Sequence, residues 1–268
     1  MTVSVPDVLV LAGSRDGTDE VARMAGVEHK AFAPVAGVPM LERVVDALRA
    51  ALPEARLKVA MDPAEQPQSR IVVDRICQGG HLEIMAPAPS PARTVMAALP
   101  ADGRPLLVAT ADHALLTSAM VRHFLAAIPE GCNAAVAVAS RTTIAAAYPD
   151  TRRTYWRFRD QHVSGCNLFL LSGHEAALVV AFWAALERDR KRPWAMIRRL
   201  GPLTLARFAL GLLRLDQALD QMSRRTGARL AAIDMPFAEA AMDVDHPSDQ
   251  ILADQILAER ILAERATC

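Results

Sequence analysis

Two features of this sequence have the residue types and spacing for phosphate chemistry. The first is a polar loop, Gly13, Ser14, Arg15, Gly17 and Thr18, with Lys30 further on; it directly follows the apolar run Val8–Leu11. Glycines after a buried strand let backbone N–H groups close around an anion, and a later lysine adds positive charge. The second is Asp112, which follows the apolar run Leu106–Ala109. A carboxylate at the carboxyl end of a strand, beside a phosphate cradle, suits Mg²⁺, which takes one or two carboxylates and leaves its other positions to phosphates and water. The cradle is not G-x-G-x-x-G, which disfavours a dinucleotide site, and no G-K-[ST] follows, which excludes a P-loop. An ordinary glycine-bearing βα turn, and an aspartate that only caps a turn, are the plainer alternatives.

These residues need a sheet whose strands end together. Val8–Leu11, Leu57–Met61, Ile84–Ala86, Leu106–Ala109, Ala134–Ala139 and Val163–Leu171 read as short buried strands. Met40–Ala51 reads as an amphipathic helix, with Leu41, Val44, Val45 and Leu48 on one face and Pro53 beyond its end. Helices are also expected near Arg93–Leu99 and Ser118–Ala127, after a stiff loop carrying Pro87, Pro89 and Pro91. Ile71–Val73 fits either a strand or a helix start. Alternation from Tyr155 to Arg159 predicts a strand or hairpin with a basic side, in a stretch where Arg152, Arg153, Arg157 and Arg159 interleave with aromatics. From His174 to Thr226 the pattern is helical, with a basic block around Arg188–Arg199 and an apolar run, Leu203–Leu215. That run fits a helical hairpin covering the sheet or a second subunit, or a surface lying on an anionic membrane. Ile251–Arg265 reads as a terminal helix; its five-residue near-repeat does not match a coiled-coil heptad.

Composition narrows the classes. The 268 residues suffice for a large α/β domain. Thirty basic and thirty acidic residues balance, so no global field points to nucleic acid. Cys77, Cys132, Cys166 and Cys268 stand far apart, which argues against a zinc site and suits a reducing cytoplasm. The first residues lack a basic signal-peptide region, and no apolar run reaches the length of a membrane span.

Leu11-Ala12-Gly13-Ser14-Arg15 and Gly17-Thr18, followed by Lys30 through Leu41 (KAFAPVAGVPML), resemble the nucleotidyltransferase pattern L-A-G-G-x-G-T-R then K-x-L-x-x-V-x-G-x-P-M-L. Ser14 stands for the second glycine, Asp16 intervenes, and no arginine directly follows Thr18. Leu106–Thr117 resembles L-V-x-x-x-D-x-P-L-L-T, with Ala114 for proline; His113 is expected as a polar loop residue without a role. Asp243-Val244-Asp245-His246-Pro247-Ser248-Asp249 resembles D-V-D-T-P-E-D. On these motifs, in this order, the chain is identified as similar to the MobA-like NTP transferases, which include molybdenum-cofactor guanylyl- and cytidylyltransferases and sugar-phosphate nucleotidyltransferases.

The resemblance implies a three-layer α/β/α Rossmann-like fold with a mostly parallel mixed sheet and a helical insertion near 174–226. It implies a nucleotide-binding half (1–140), an acceptor-binding half (141–250) and a terminal helix (251–268). Leu11, Ala12, Gly13, Ser14, Arg15, Gly17, Lys30 and Thr94 would contact the nucleotide, although Thr94 also fits a helix cap. Asp112 and Asp243 would hold Mg²⁺, with Asp245 as the alternate to Asp243 or as a cap for the last helix. Lys30 and Asp112 would be catalytic. Arg153, Arg157, Gly165 and Asn167 would face the acceptor, although the basic stretch also fits a solvated hairpin. The implied reaction transfers a nucleotide, with GTP or CTP favoured as donor, to a phosphorylated small molecule and releases pyrophosphate. Nucleic acid is not an expected partner; a homodimer and peripheral membrane contact through 188–215 are open. A catalytically inactive relative that binds a nucleotide or a partner is the other class.

Overall fold

The structure is a computed structural model and describes residues 5–13, 19–78, 81–151, 153–189 and 192–266. Ser14, Arg15, Gly17 and Arg152 lie outside the described residues, as do the other unlisted positions of the glycine loop and Cys268.

In chain order the strands are β1 (Asp7–Leu11), β2 (Pro34–Val35), β3 (Val38–Pro39), β4 (Leu57–Ala60), β5 (Leu82–Met85), β6 (Leu106–Thr110), β7 (Ala134–Ser140), β8 (Trp156–Arg157), β9 (His162–Leu171) and β10 (Leu230–Asp234). The helices are α1 (Glu20–Ala25), α2 (Met40–Ala51), α3 (Pro67–Gln78), α4 (Pro91–Ala98), α5 (Ser118–Ala126), α6 (Arg141–Ala147), α7 (Ala176–Asp189), α8 (Pro193–Leu200), α9 (Pro202–Ala209), α10 (Leu215–Thr226) and α11 (Pro247–Ala266). The main sheet runs β10-β7-β9-β6-β1-β4-β5, with β8 paired to β9. Its pairings are parallel except those of β9 with β6, β7 and β8. The carboxyl ends of β1, β6, β7 and β10 and the amino end of β9 therefore share one edge, where open α/β sheets bind ligands.

Strand alternation sorts the core into two faces. Val8 and Val10 of β1, with Leu107 and Ala109 of β6, point to the side covered by α2, α3 and α5. Leu9, Leu106 and Val108 point to the other, where Val95 of α4 and Ala176 and Val180 of α7 meet them. This is the expected α/β/α sandwich with a mixed, mostly parallel sheet. A third cluster, containing Val21, Ala33, Met40, Leu115, Val244 and Ile256, fastens α1 and α11 over the carboxyl edge.

Several expectations are corrected. Ile71–Val73 lies inside α3. The strand or hairpin expected over Tyr155–Arg159 is a hairpin, in which the short strand Trp156–Arg157 pairs antiparallel with His162–Val163 and Phe158 turns inward against Val138, Val163 and Leu213. Helix α1 and the edge strand β10 were not expected; the apolar run of β10, Leu230–Ile233, is short and follows closely on a helical stretch. The Leu203–Leu215 run covers the sheet only at its end, where Leu213 and Leu215 pack with Val138 of β7 and Val163 of β9; helix α9 has no buried residue. The helix at 174–226 divides: α7 is a layer of the sandwich, while α8 and α9 project from it.

Candidate active site

Lys30 opens a short 3₁₀ turn, Lys30–Phe32, whose first free N–H, that of Ala31, donates to His29 Nδ1 at 3.1 Å. Burial pushes the His29 imidazole down, and a hydrogen bond with the Gly13 backbone and the nearby Asp19 and Asp62 oppose it. The turn is rooted in the core by Ala31 and Phe32, so the lysine leaves from a fixed base. Its Nζ lies 2.8 Å from Asp112 Oδ2 and 2.7 Å from Asp245 Oδ1, and donates to the Val244 carbonyl at 3.3 Å. Burial alone would lower the ammonium, but Asp112 and Asp245 outweigh it and hold Lys30 above the usual lysine range. The side chain is charged at any working pH.

Asp112 follows β6 by one turn. Its Oδ1 accepts the Thr110 hydroxyl, and its backbone carbonyl accepts the Val244 N–H at 3.0 Å. The Leu11 carbonyl accepts the Ala111 N–H at 3.0 Å, which joins the root of the glycine loop to the aspartate's turn. His113, expected as a polar loop residue, is instead 1% exposed. Burial pushes its imidazole down to about 4 against the pull of Asp112, so it packs as a neutral ring.

Asp243 reaches the same edge after β10. Arg153 Nη1 donates to its Oδ1 at 2.8 Å and Asn167 Nδ2 to its Oδ2 at 3.2 Å. Asn167 has φ +50°, and it sits where Cys166–Leu168 of β9 face a single β7 residue between the pairs Val136–Phe169 and Val138–Gly165. A bulge of this kind re-aims a side chain, and asparagine tolerates the left-handed backbone. Arg153 also reaches Asp249 at 3.4 Å. Asp249 in turn accepts the N–H groups of Asp245 (3.2 Å) and His246 (2.9 Å). Asp249, in the first turn of α11, thus reaches back to hold the two residues that lead into the helix. Burial, then the negative charges of Asp245 and Asp112, raise the Asp243 carboxyl, and Arg153 only partly counters them.

Of the residues expected on the nucleotide, Leu11 ends β1, Ala12 is buried with its N–H on the Ala60 carbonyl at 2.9 Å, and Gly13 is exposed opposite Pro87. Thr94 is 2% exposed. Its hydroxyl accepts the Ala88 N–H at 2.9 Å and donates to the Ser90 carbonyl at 3.1 Å. It stiffens the proline loop rather than offering a free group, and the helix cap is Ser90, which accepts the Arg93 N–H. On the acceptor side, Gly165 is exposed with open space where a side chain would stand, while Arg157 is exposed in β8 opposite His162. Arg153 and Asn167 are brought to Asp243; Arg157 is not.

Sequence reasoning missed the Lys30–Asp245 pair and the Arg153–Asp243 pair. The only signal for them was the clustering of acids in Asp243–Asp249 against arginines placed in the middle of the chain. Among the described residues, no group of three or more His, Cys, Asp or Glu side chains is set to hold a metal ion. Asp112 and Asp245 are bridged by Lys30, and both lie near enough to Asp243 for their charges to raise its carboxyl.

Similar structures share this framework. A hypothetical transferase from Thermus thermophilus is 29% identical, with a TM-score of 0.76 over 91% of this chain and 99% of that one. CMP:2-keto-3-deoxy-manno-octonic acid synthetase complexed with CTP is 13% identical, with a TM-score of 0.54 over 95% of this chain and 99% of its own. The 4-diphosphocytidyl-2C-methyl-D-erythritol synthase from Anaerococcus prevotii DSM 20548 is 8% identical, with a TM-score of 0.54 over 96% and 98%. The last two show the fold alone. No curated protein matches the chain. Residues 8–202 match the MobA-like NTP transferase domain, a span that holds the glycine loop, Lys30, Asp112, Arg153 and Asn167, and the chain belongs to the MobA-like NTP transferase family.

Proposed function

We propose that the chain transfers a nucleoside monophosphate from a nucleoside triphosphate, CTP or GTP, to the phosphate of a small-molecule acceptor, with release of pyrophosphate. The observation that carries this reading is Lys30, anchored on the core and held by Asp112 and Asp245 at the edge where β1 delivers the glycine loop. Two of the similar structures are named as a CMP synthetase with CTP and a diphosphocytidyl synthase, which favours a pyrimidine donor and a phosphorylated or acidic acceptor.

In this reading the backbone of Gly13 and of the loop after it receives the triphosphate. Lys30 exchanges a carboxylate contact for the α-phosphate and offsets the negative charge that develops there. An oxygen of the acceptor's phosphate bonds to the α-phosphorus, the bond to the bridging oxygen breaks, and pyrophosphate leaves with the electron pair. A phosphate dianion is already a nucleophile, so the chain need supply no base. Gly165 leaves room for the acceptor along β9. Beyond it along β9 a cleft of about 300 Å³ is bordered by Ser140, Arg141, Thr142, Gln161 and His162, with the acid Asp160 among them.

The residues present fit a magnesium ion. Asp112 and Asp243 offer only hard oxygen donors, and Asp243 is raised by burial and by the neighbouring charges of Asp245 and Asp112, which a divalent cation would relieve. Two carboxylates match an ion that keeps water and phosphate as its other ligands. When bound, magnesium would supply Lewis-acid neutralisation of the phosphates. Arg153 and Asn167 keep the Asp243 carboxylate oriented meanwhile. Free thiols at Cys77, Cys132 and Cys166 accord with a cytoplasmic setting. Among the described residues no helix is long and apolar enough to cross a membrane.

The departures at Ser14 and Asp16 favour one other reading, a relative that binds nucleotide without turnover. Calorimetry with Mg²⁺ and each triphosphate, set beside pyrophosphate release with a pool of phosphomonoesters, separates the two. Binding with release supports the transferase; tight binding with no release from any nucleotide supports the binding module.

A further inference from the structure

The chain is neutral overall, yet its charge is unevenly placed. Between Arg188 and Arg214 there are eight basic residues and one acidic, Asp189. Among the described residues the same stretch carries the three most exposed large apolar side chains, Trp194 at 80%, Leu210 at 72% and Leu203 at 71%, with Leu212 at 50% beside them. Helix α9 buries none of its residues, and Leu203, Ala206 and Leu210 follow one another at helical spacing along its exposed side. An open cleft of about 460 Å³ is lined by Arg192, Trp194, Arg198 and Arg199 around Asp189, with Arg199 Nε 2.6 Å from the Asp189 carboxylate. Leucines and an indole interspersed with arginines are the makeup of an interfacial helix surface, apolar groups entering the acyl boundary and guanidinium groups meeting headgroup phosphates.

Both roots of this arm lie at the catalytic edge. At one, the Ala92 N–H, in the first turn of α4, donates to Glu187 Oε1 near the end of α7 at 3.4 Å. At the other, the Arg159 N–H donates to the Leu213 carbonyl at 2.8 Å, and Phe208 meets Phe158 edge to face with ring centroids 5.4 Å apart. We infer that α8, α9 and the 210–214 loop form a docking surface for an anionic lipid bilayer, which brings the mouth of the active-site cleft to the headgroup layer. A second copy of the chain fits this surface poorly, because a two-fold contact would face one basic patch with another. Single-stranded nucleic acid could stack on Trp194, but the other strongly exposed apolar side chains, Leu203, Leu210 and Leu212, offer no stacking plane and suit acyl chains better. The acidic excess of the rest of the chain is repelled by the same bilayer, which sets the orientation.

The inference is independent of the proposed reaction. Its test is co-sedimentation of the full chain with vesicles of phosphatidylcholine alone or mixed with phosphatidylglycerol, at low and high salt. Binding to the anionic vesicles at low salt, released by high salt, is expected, with a blue shift of tryptophan emission that Trp194→Phe abolishes. The pair Arg192→Gln and Arg198→Gln should weaken partition roughly 25-fold, about fivefold for each arginine. The pair Leu203→Asp and Leu210→Asp should abolish it while circular dichroism and nucleotide binding stay unchanged. Four results overturn the inference: no binding to anionic vesicles at low salt, equal binding to neutral vesicles, a solution dimer that the leucine pair disrupts in place of vesicle binding, or capture of single-stranded nucleic acid without vesicle binding.

Discussion

Lys30 and Asp245 stand 215 positions apart in the sequence and 2.7 Å apart in the structure. The lysine comes from a turn rooted in the core, the aspartate from the start of the segment that α11 closes. With Asp112 on its other side, Lys30 has two counter-charges before any substrate arrives. Asp245→Asn keeps an oxygen acceptor but removes one charge, so the lysine should stay in place with a weaker hold. The expected result is a folded protein whose kcat/KM for the triphosphate falls about tenfold, equivalent to about 1.4 kcal/mol. Steady-state kinetics of pyrophosphate release measure it, and an unchanged value would remove Asp245 from the account.

Arg153 is only 9% exposed in its side chain and pairs with both Asp243 and Asp249. Arg153→Met keeps the bulk and leaves the Asp243 carboxylate without its cation. Because Asp243 is 30% exposed, the loss should fall below that of a fully buried pair, at about 2–3 kcal/mol of unfolding free energy. Urea denaturation checks this.

Asn167 separates two roles that coincide in one residue. Asn167→Gly suits the +50° backbone and removes only the hydrogen bond to Asp243, so stability should change by less than about 1 kcal/mol while affinity for Mg²⁺ with nucleotide drops. Asn167→Val should lose both, because a β-branched side chain is strained at positive φ by about 1–3 kcal/mol. Thermal denaturation and calorimetry on the two variants distinguish them.

Glu239 accepts from the Tyr148 hydroxyl at 3.0 Å and pairs with Arg260 at 2.9 Å. Burial raises its carboxyl, but its own backbone N–H, Arg260 and Tyr148 together bring it below the usual glutamate value. A folded-state value lowered in this way adds stability above the unfolded value, which is lost as pH falls through the folded one. Unfolding free energy should therefore decline on acidification below about pH 4.5, and the decline should be shallower in Glu239→Gln. Urea midpoints across an acid series measure the difference; parallel curves would show that the network does not carry it.

The sheet and its layers were legible wherever short apolar runs met turn residues. Val8–Leu11 and Leu106–Ala109 read as strands for that reason, and the helix Met40–Ala51 read true to its ends because Leu41, Val44, Val45 and Leu48 recur on one face. Strand β10 escaped although Leu230–Ile233 is apolar, because the run is four residues long and two of them are alanines, which favour a helix as much as a strand. His113 read as a loop residue since its burial comes from segments distant in sequence. The acid–base pairs were hidden for a related reason: Arg153 and Asp243 are 90 positions apart and meet only once the sheet has formed, and the bulge that brings Asn167 to the same carboxylate leaves only an asparagine at a left-handed position as its mark. Arg153 and Asn167 were singled out for the acceptor, yet here both hold the Asp243 carboxylate.

The most direct measurement is pyrophosphate release with Mg²⁺, each ribonucleoside triphosphate and a pool of phosphomonoesters, run on the native chain, Lys30→Ala and Asp112→Asn. The account predicts release with one nucleotide, reduced roughly 10²–10³-fold in Lys30→Ala and abolished in Asp112→Asn, with all three proteins folded. Full activity in Lys30→Ala would contradict it.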